Sequence, residues 1–195
     1  MYGPRGNWVT GTSSPIKKLH DQVQRQDILA VVDRALSETG LESRFLELEL
    51  TETTLMGVKQ DAVDQFRAMI QKGLAISLDD FGTGNSSLNM LQELPIGKLK
   101  IDRSFVKDMI TNSQDASIVS AILDIARSLG LQTTAEGVET AEQAARLTEH
   151  GCDYLQGYLL SRPVPAADIV QLLKKGFSTT VRKTGKMDAV TSGLV

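Results

Sequence analysis

The sequence predicts an α/β protein built mostly from parallel strands, and three observations carry that expectation. Stretches with helical apolar spacing alternate with short apolar or period-two stretches along most of the chain. The repeating unit is roughly 20 to 35 residues long, which suits a crossover between parallel strands. The run Leu74-Ala-Ile-Ser-Leu78 is apolar and bounded by turn residues, as a strand buried on both faces reads. Such a chain makes a βα-barrel or a doubly wound sheet. A closed barrel takes about eight units, and only five strands are legible here, so the barrel reading is of an incomplete one.

Taken in order, residues 1–15 are rich in Gly, Pro, Ser and Thr and read as a loop, with a short extended piece at Trp8-Val9-Thr10. From Asp21 to Thr39, Ile28, Leu29, Val31, Val32 and Leu36 recur at helical spacing before Gly40. Residues 44–50 alternate, Phe45-Leu-Glu-Leu-Glu-Leu50, which predicts a strand. Residues 59–72 return to helix, ended by Gly73, and residues 74–79 form the second strand. A short helix over 86–93 stops at Pro95. Lys98-Leu-Lys-Ile-Asp102 is the third strand, followed by helix over 104–110 and a stronger one over 115–129. Residues 131–136 give the fourth strand, 141–150 a helix, 154–160 the fifth strand and 166–175 the last helix. Residues 1–18 therefore read as an irregular segment, 19–175 as the domain and 176–195 as a flexible tail.

The 195 residues suffice for one domain, and 41% apolar with 23% charged residues is the balance of a globular protein. A net charge of −3 provides no basic field for DNA, yet leaves room for a small nucleotide held through metal ions. The single cysteine, Cys152, excludes an internal disulfide, fits a cytoplasmic protein and reads as a core thiol. No stretch has the length of a membrane span, and no signal-peptide core is legible at the N-terminus. Lys17-Lys18, the basic residues at 174–186, His20 and His150 read as solvated surface.

The chemistry lies where the strands end. The first strand delivers Glu49 and then Glu52; the second delivers Asp79 and Asp80 into the glycine-bearing loop Phe81-Gly-Thr-Gly84. The third carries Lys100 and Asp102, alternating on one face; the fourth gives Glu136 and Glu139, the fifth Gln156. Any one of these fits a solvated strand end, and Asp79 or Asp80 fits a turn cap. All five strands ending this way points to a shared site, as α/β folds place theirs at carboxyl ends of strands. Converging acids repel unless cations lie among them. Hard oxygen ligands call for Mg²⁺, Mn²⁺ or Ca²⁺, and an ion pair of that kind suits in-line attack on a phosphodiester. Adjacent strand residues point to opposite faces, so Asp79 and Asp80 share an ion only where the strand breaks. Lys100 could hold the attacking water or neutralise a phosphate oxygen; Glu136 or Glu139 could be a ligand or a base.

Five ordered motifs carry a resemblance. Glu49-Leu-Thr-Glu52, Asp79-Asp-Phe-Gly-Thr-Gly84 with Ser86-Ser-Leu88, Leu99-Lys-Ile-Asp-Arg-Ser-Phe105, Ala135-Glu-Gly-Val-Glu139, and Gln156-Gly-Tyr158 with Ser161-Arg-Pro163 resemble those of the EAL family over about residues 19–175. These are bacterial cyclic di-GMP phosphodiesterases with a modified βα-barrel. The resemblance implies metal ligation by Glu49, Asp79 and Asp80 and a water oriented by Lys100. It further implies a metal–water contact from Glu136 supported by Glu139, Gln156 beside the substrate phosphate, and Glu52 as anchor of the loop after the second strand. The implied fold is an incomplete (β/α) TIM-like barrel.

The departures lie at one end. The Glu-Ala-Leu segment that names the family is absent, and Thr12, Ser13 or Ser14 stands where an Asn ligand is usual. Asn85 replaces an aromatic residue. The resemblance thus implies an N-terminally truncated domain, with a Mg²⁺ or Mn²⁺ two-ion site weakened and hydrolysis to linear pGpG impaired. The alternative is a non-catalytic module that binds cyclic di-GMP or a protein, and an open barrel edge would suit a homodimer or a partner chain.

Overall fold

The computed structural model describes residues 28–55, 60–84, 88–165, 167–169 and 171. The expectations for residues 1–27, among them the extended piece at 8–10, Lys17, Lys18, His20 and the first turns of the opening helix, lie outside the described residues. So do those for Asn85, Ser86 and the tail. The described residues fall into two compact units, one of residues 28–100 with Ala126–Gln132, the other of Ile101–Ile125 with residues from 133 onward.

The first unit opens with α1 (Ile28–Thr39), whose buried residues Ile28 and Val32 are one turn apart. A 3₁₀ turn over Ser43–Phe45 comes before β1 (Glu47–Thr51), where the alternation predicts strand from residue 44. Phe45 fits the period-two pattern, but it is 64% exposed and lies under the Arg44 guanidinium rather than in the core. After β1 come α2 (Glu52–Leu55), α3 (Gln60–Gln71), β2 (Ala75–Phe81), α4 (Leu88–Glu93) and β3 (Lys98–Ile101). In α3 the buried residues Ala62, Phe66 and Met69 follow the 3.6 period. Beyond its end Lys72 pairs with Asp33 of α1 and its carbonyl accepts from Ser43 Oγ.

β1 and β2 pair in parallel, Glu49 opposite Ser77 and Thr51 opposite Asp79. β3 begins beside β2, Gly97 N–H donating to Ile76 C=O at 2.9 Å. The pleat then sorts the side chains. Leu50, Ile76, Leu78 and Leu99 are at most 1% exposed and alternate with the polar positions; each such side chain contributes about 1.5–3 kcal/mol by burial. The opposite face carries Glu47, Glu49, Ser77, Asp79, Lys98 and Lys100. The second strand is thus buried on both faces, as expected, although one face is polar, and it runs two residues further than the sequence indicates, through Asp80 to Phe81.

The second unit holds α5 (Arg103–Asp108), most of α6 (Ser113–Ser128), β4 (Gln132–Ala135), α7 (Ala141–Glu149) and β5 (Tyr154–Leu155). Glu136 N–H donates to Ile101 C=O at 3.1 Å, and β4 pairs in parallel with β5, Thr134 opposite Tyr154. Strand order follows the chain, β1-β2-β3-β4-β5. Buried Gln143 ties α7 to α5: its Nε2 donates to the Val106 and Lys107 carbonyls, its Oε1 accepts from the Glu139 and Thr140 amides, and Thr140 closes a capping box. Residues 167–169 and 171 are helical, within the last expected helix.

Two expectations are corrected here. The third strand stops at Ile101, so Asp102 does not alternate with Lys100; it caps α5, its Oδ1 accepting from Ser104 N–H at 2.9 Å. The fifth strand has two residues rather than seven, because the chain turns at Gly157, whose carbonyl accepts from the Leu160 and Ser161 amides.

Candidate active site at the strand exits

In the first unit, three charged side chains meet on the polar face near the carboxyl ends of β1, β2 and β3. Lys100 Nζ is 2.9 Å from Glu49 Oε1 and 3.0 Å from Asp79 Oδ1. The lysine side chain is 3% exposed, that of Asp79 21% and that of Glu49 32%. Asp79 Oδ1 is buried and accepts no hydrogen bond, although the ammonium is close. We read the contact as an ion pair at an angle unsuited to a hydrogen bond, which leaves that oxygen short of a directional partner. The set therefore offers hard oxygen atoms, excess negative charge and one underused buried oxygen. Those properties fit a divalent cation.

Asp80 follows with φ +55, the only positive value recorded for a non-glycine among the described residues. Left-handed backbone costs a side-chain-bearing residue on the order of 1 kcal/mol, less for Asp, and such residues concentrate at functional sites. Its carbonyl is held in a tight turn by Thr83, which donates through both N–H and Oγ1. The turn breaks the strict up-down alternation at the second of the paired acids, as sharing an ion between them requires.

Glu52, the first residue of α2, is 4% exposed and reaches across to the loop after β2. Its Oε1 accepts from Gly82 N–H at 3.1 Å, while Oε2 is buried without a partner. Gly84 presses on the same carboxylate so closely that a Cβ there would overlap Oε2. The sequence Phe81-Gly-Thr-Gly84 is thus shaped around one buried acid.

In the second unit, Glu136 lies half-buried just beyond β4, Glu139 is exposed, and Gln156 is half-buried just beyond β5. The two loops are stitched together: Gln156 N–H donates to Ala135 C=O, Val138 N–H to Gln156 C=O, and Leu159 N–H to Val138 C=O. Gly157 lies against the Val138 backbone, where any Cβ would collide. That contact gives Gln156-Gly157 and Gly137-Val138 a joint structural reason. Asp102, expected among the catalytic groups, caps α5 through its Oδ1. A groove of about 680 Å³ between α6 and α7, lined in part by Ser120, Arg146 and His150, contains none of the strand-exit residues.

Sequence reasoning missed the layer beneath. Lys98, 8% exposed, donates to Glu47 Oε2 at 2.6 Å, and buried Ser77 Oγ has no partner. The signal was present as Glu47-Leu-Glu49, Ser77-Leu-Asp79 and Lys98-Leu-Lys100, three matched alternations that face one another. Cys152 is buried and hydrogen-bonds through Sγ to the Tyr154 carbonyl; burial pushes its thiol up to about 11, which suits a core thiol and not a nucleophile.

The fold and site define a parallel α/β domain with acids at strand exits, whose hard oxygens fit a divalent cation. The EAL domain family matches residues 11–163, and the chain belongs to that family. Its parallel sheet is part of the family's TIM-like barrel. It is 43% identical over 150 residues to the cyclic di-GMP phosphodiesterase NbdA of Pseudomonas aeruginosa, an alignment covering 77% of this chain and 19% of that protein. A solved structure described as PaMucR phosphodiesterase in complex with c-di-GMP superposes with a TM-score of 0.72 at 43% identity, covering 77% of this chain and 61% of that one. Klebsiella pneumoniae BlrP1, solved as a manganese and c-di-GMP complex, gives a TM-score of 0.67 at 29% identity, covering 74% of this chain and 37% of that one. The chain spans only about a fifth of the first of these relatives. No helix among the described residues is long and apolar enough to cross a membrane.

Proposed function

We propose that the domain hydrolyses cyclic di-GMP to linear pGpG with the help of divalent cations. The observation that carries the reading is the Glu49–Lys100–Asp79 cluster at the ends of three adjacent strands, in a chain whose relatives are named cyclic di-GMP phosphodiesterases. Glu49, Asp79 and Asp80 would hold Mg²⁺ or Mn²⁺, which supplies a lowered pKa for the attacking water and charge balance on the phosphodiester. Lys100 orients that water or neutralises a non-bridging oxygen with its ammonium. Glu136, supported by Glu139, accepts a hydrogen bond from the water and is the candidate to take its proton. The Gln156 amide donates to a phosphate oxygen. Glu52 fixes the loop after β2, so that the dinucleotide meets a preformed wall. Asp102 caps α5 through Oδ1.

The reading also places the domain in the cytoplasm, where its one buried thiol needs no oxidising compartment. Among the described residues β1 is the outermost strand, and in this reading that edge takes a second chain, detectable as a dimer by sedimentation.

The test is turnover by the purified chain with Mn²⁺ or Mg²⁺ and cyclic di-GMP, following pGpG by chromatography. Metal-dependent product that disappears with Asp79→Ala supports the hydrolase. Dinucleotide bound with no product would refute hydrolysis and assign the chain to the non-catalytic alternative.

A further inference from the structure

We propose that Lys100 competes with the metal for the site: its ammonium holds Glu49 and Asp79 together in the metal-free chain and must be displaced when a divalent cation binds. The inference rests on the hydrolase reading's placement of the metal at these carboxylates.

The two layers of the polar face make the argument. Below, Lys98 meets Glu47, one cation against one anion, with Nζ 2.6 Å from Oε2. That layer is formally neutral, although Glu47 Oε1 accepts no hydrogen bond. Above, Lys100 meets two carboxylates at 2.9 and 3.0 Å and leaves a formal charge of −1. The upper layer attracts a further cation, and Asp79 Oδ1, buried without a hydrogen bond, is the oxygen best placed to receive one.

The oxygens that face the ammonium are those a metal would take. An ammonium and a dication cannot both lie within ion-pair distance of Glu49 Oε1 and Asp79 Oδ1 without strong repulsion in so poorly hydrated a place. Lys100 is 3% exposed, so it has no water to retreat into. Its four-carbon stem has the freedom to swing along the polar face instead. Displacement releases the ammonium from the carboxylates and makes it available to the water or the phosphate. Lys100 thus closes the empty site and serves the filled one, and metal loading and lysine position are one equilibrium.

The test measures Mn²⁺ binding to the full chain by isothermal titration calorimetry, at one pH, for wild type, Lys100→Met and Lys98→Met. Removing the competitor should tighten Mn²⁺ binding roughly tenfold or more in Lys100→Met, whereas Lys98→Met should stay within about twofold of wild type. Lys100→Met should also melt lower without metal and gain more from saturating Mn²⁺ than wild type. Equal or weaker Mn²⁺ binding by Lys100→Met would overturn the proposal. If Lys100→Met does not melt cooperatively, Lys100→Gln, which keeps a donor toward the carboxylates, is read by the same criterion. Wild type that binds Mn²⁺ without turnover refutes the hydrolase and leaves the competition standing. Wild type and variants that all fail to bind Mn²⁺ refute both.

Discussion

Lys98→Met should destabilise the chain through an acid it strands rather than through lost packing, since Met is about as long as the lysine stem. Lys98 is 8% exposed and its Nζ is 2.6 Å from Glu47 Oε2. The other carboxylate oxygen, Oε1, is buried and accepts nothing. Breaking a buried pair from one side costs about 3–5 kcal/mol. The Glu47 side chain keeps 22% of its exposure, so water screens part of that, and about 2–4 kcal/mol is expected. In urea, with a slope of about 2 kcal/mol per molar, the midpoint should fall by about 1–2 M. Glu47→Gln removes the charge that Lys98→Met exposes. The double variant should therefore be more stable than Lys98→Met alone, with a coupling energy of about 2 kcal/mol in the cycle. Circular dichroism melts of the four proteins in urea measure this directly. Additive single effects, within about 0.5 kcal/mol, would refute the argument that the pair is a buried, mutually compensating unit.

Gly84→Ala should push the Glu52 carboxylate off Gly82 N–H, lowering the urea midpoint by the equivalent of about 1–3 kcal/mol and cutting turnover. An unchanged midpoint and rate would remove the loop-anchor role. Cys152 makes a pH prediction whose sign follows from its thiol, raised from 9.0 to about 11 in the fold. The folded chain holds that proton more tightly than the unfolded chain, so stability is unaffected below pH 9 and falls between pH 9 and 11. Cys152→Ala should flatten that loss in urea titrations, and native wild type should resist iodoacetamide at pH 8.

Much of the fold was legible because the helices and strands here obey their own periods. Ile28 with Val32 and Phe66 with Met69 are buried where helical spacing placed them, whereas Val31, on the same spacing, is 55% exposed. The sequence misled where local pattern and tertiary geometry diverge. Phe45 continues the alternation of β1, yet Arg44 covers it in a 3₁₀ turn. Residues 156–160 are as apolar as a strand, but the close approach of Gly157 to Val138 turns them away. Asp102 keeps the strand's alternation on paper and is taken by helix capping. Glu47 and Lys98 carried no expectation, because a polar layer buried against other charges has the same one-dimensional signature as one facing water. At the site, the order of acids was readable. That Lys100 lies between Glu49 and Asp79, and that Asp80 has left-handed backbone, needed three dimensions.

The most direct test of the central claim is an anomalous difference map from crystals of the chain grown with Mn²⁺ and cyclic di-GMP. The account predicts a manganese peak within about 2.5 Å of carboxylate oxygens of Glu49, Asp79 and Asp80. It also predicts Lys100 Nζ moved off Asp79, toward the phosphate. Dinucleotide bound with no manganese at these acids, or manganese bound with Lys100 still bridging Glu49 and Asp79, would contradict it.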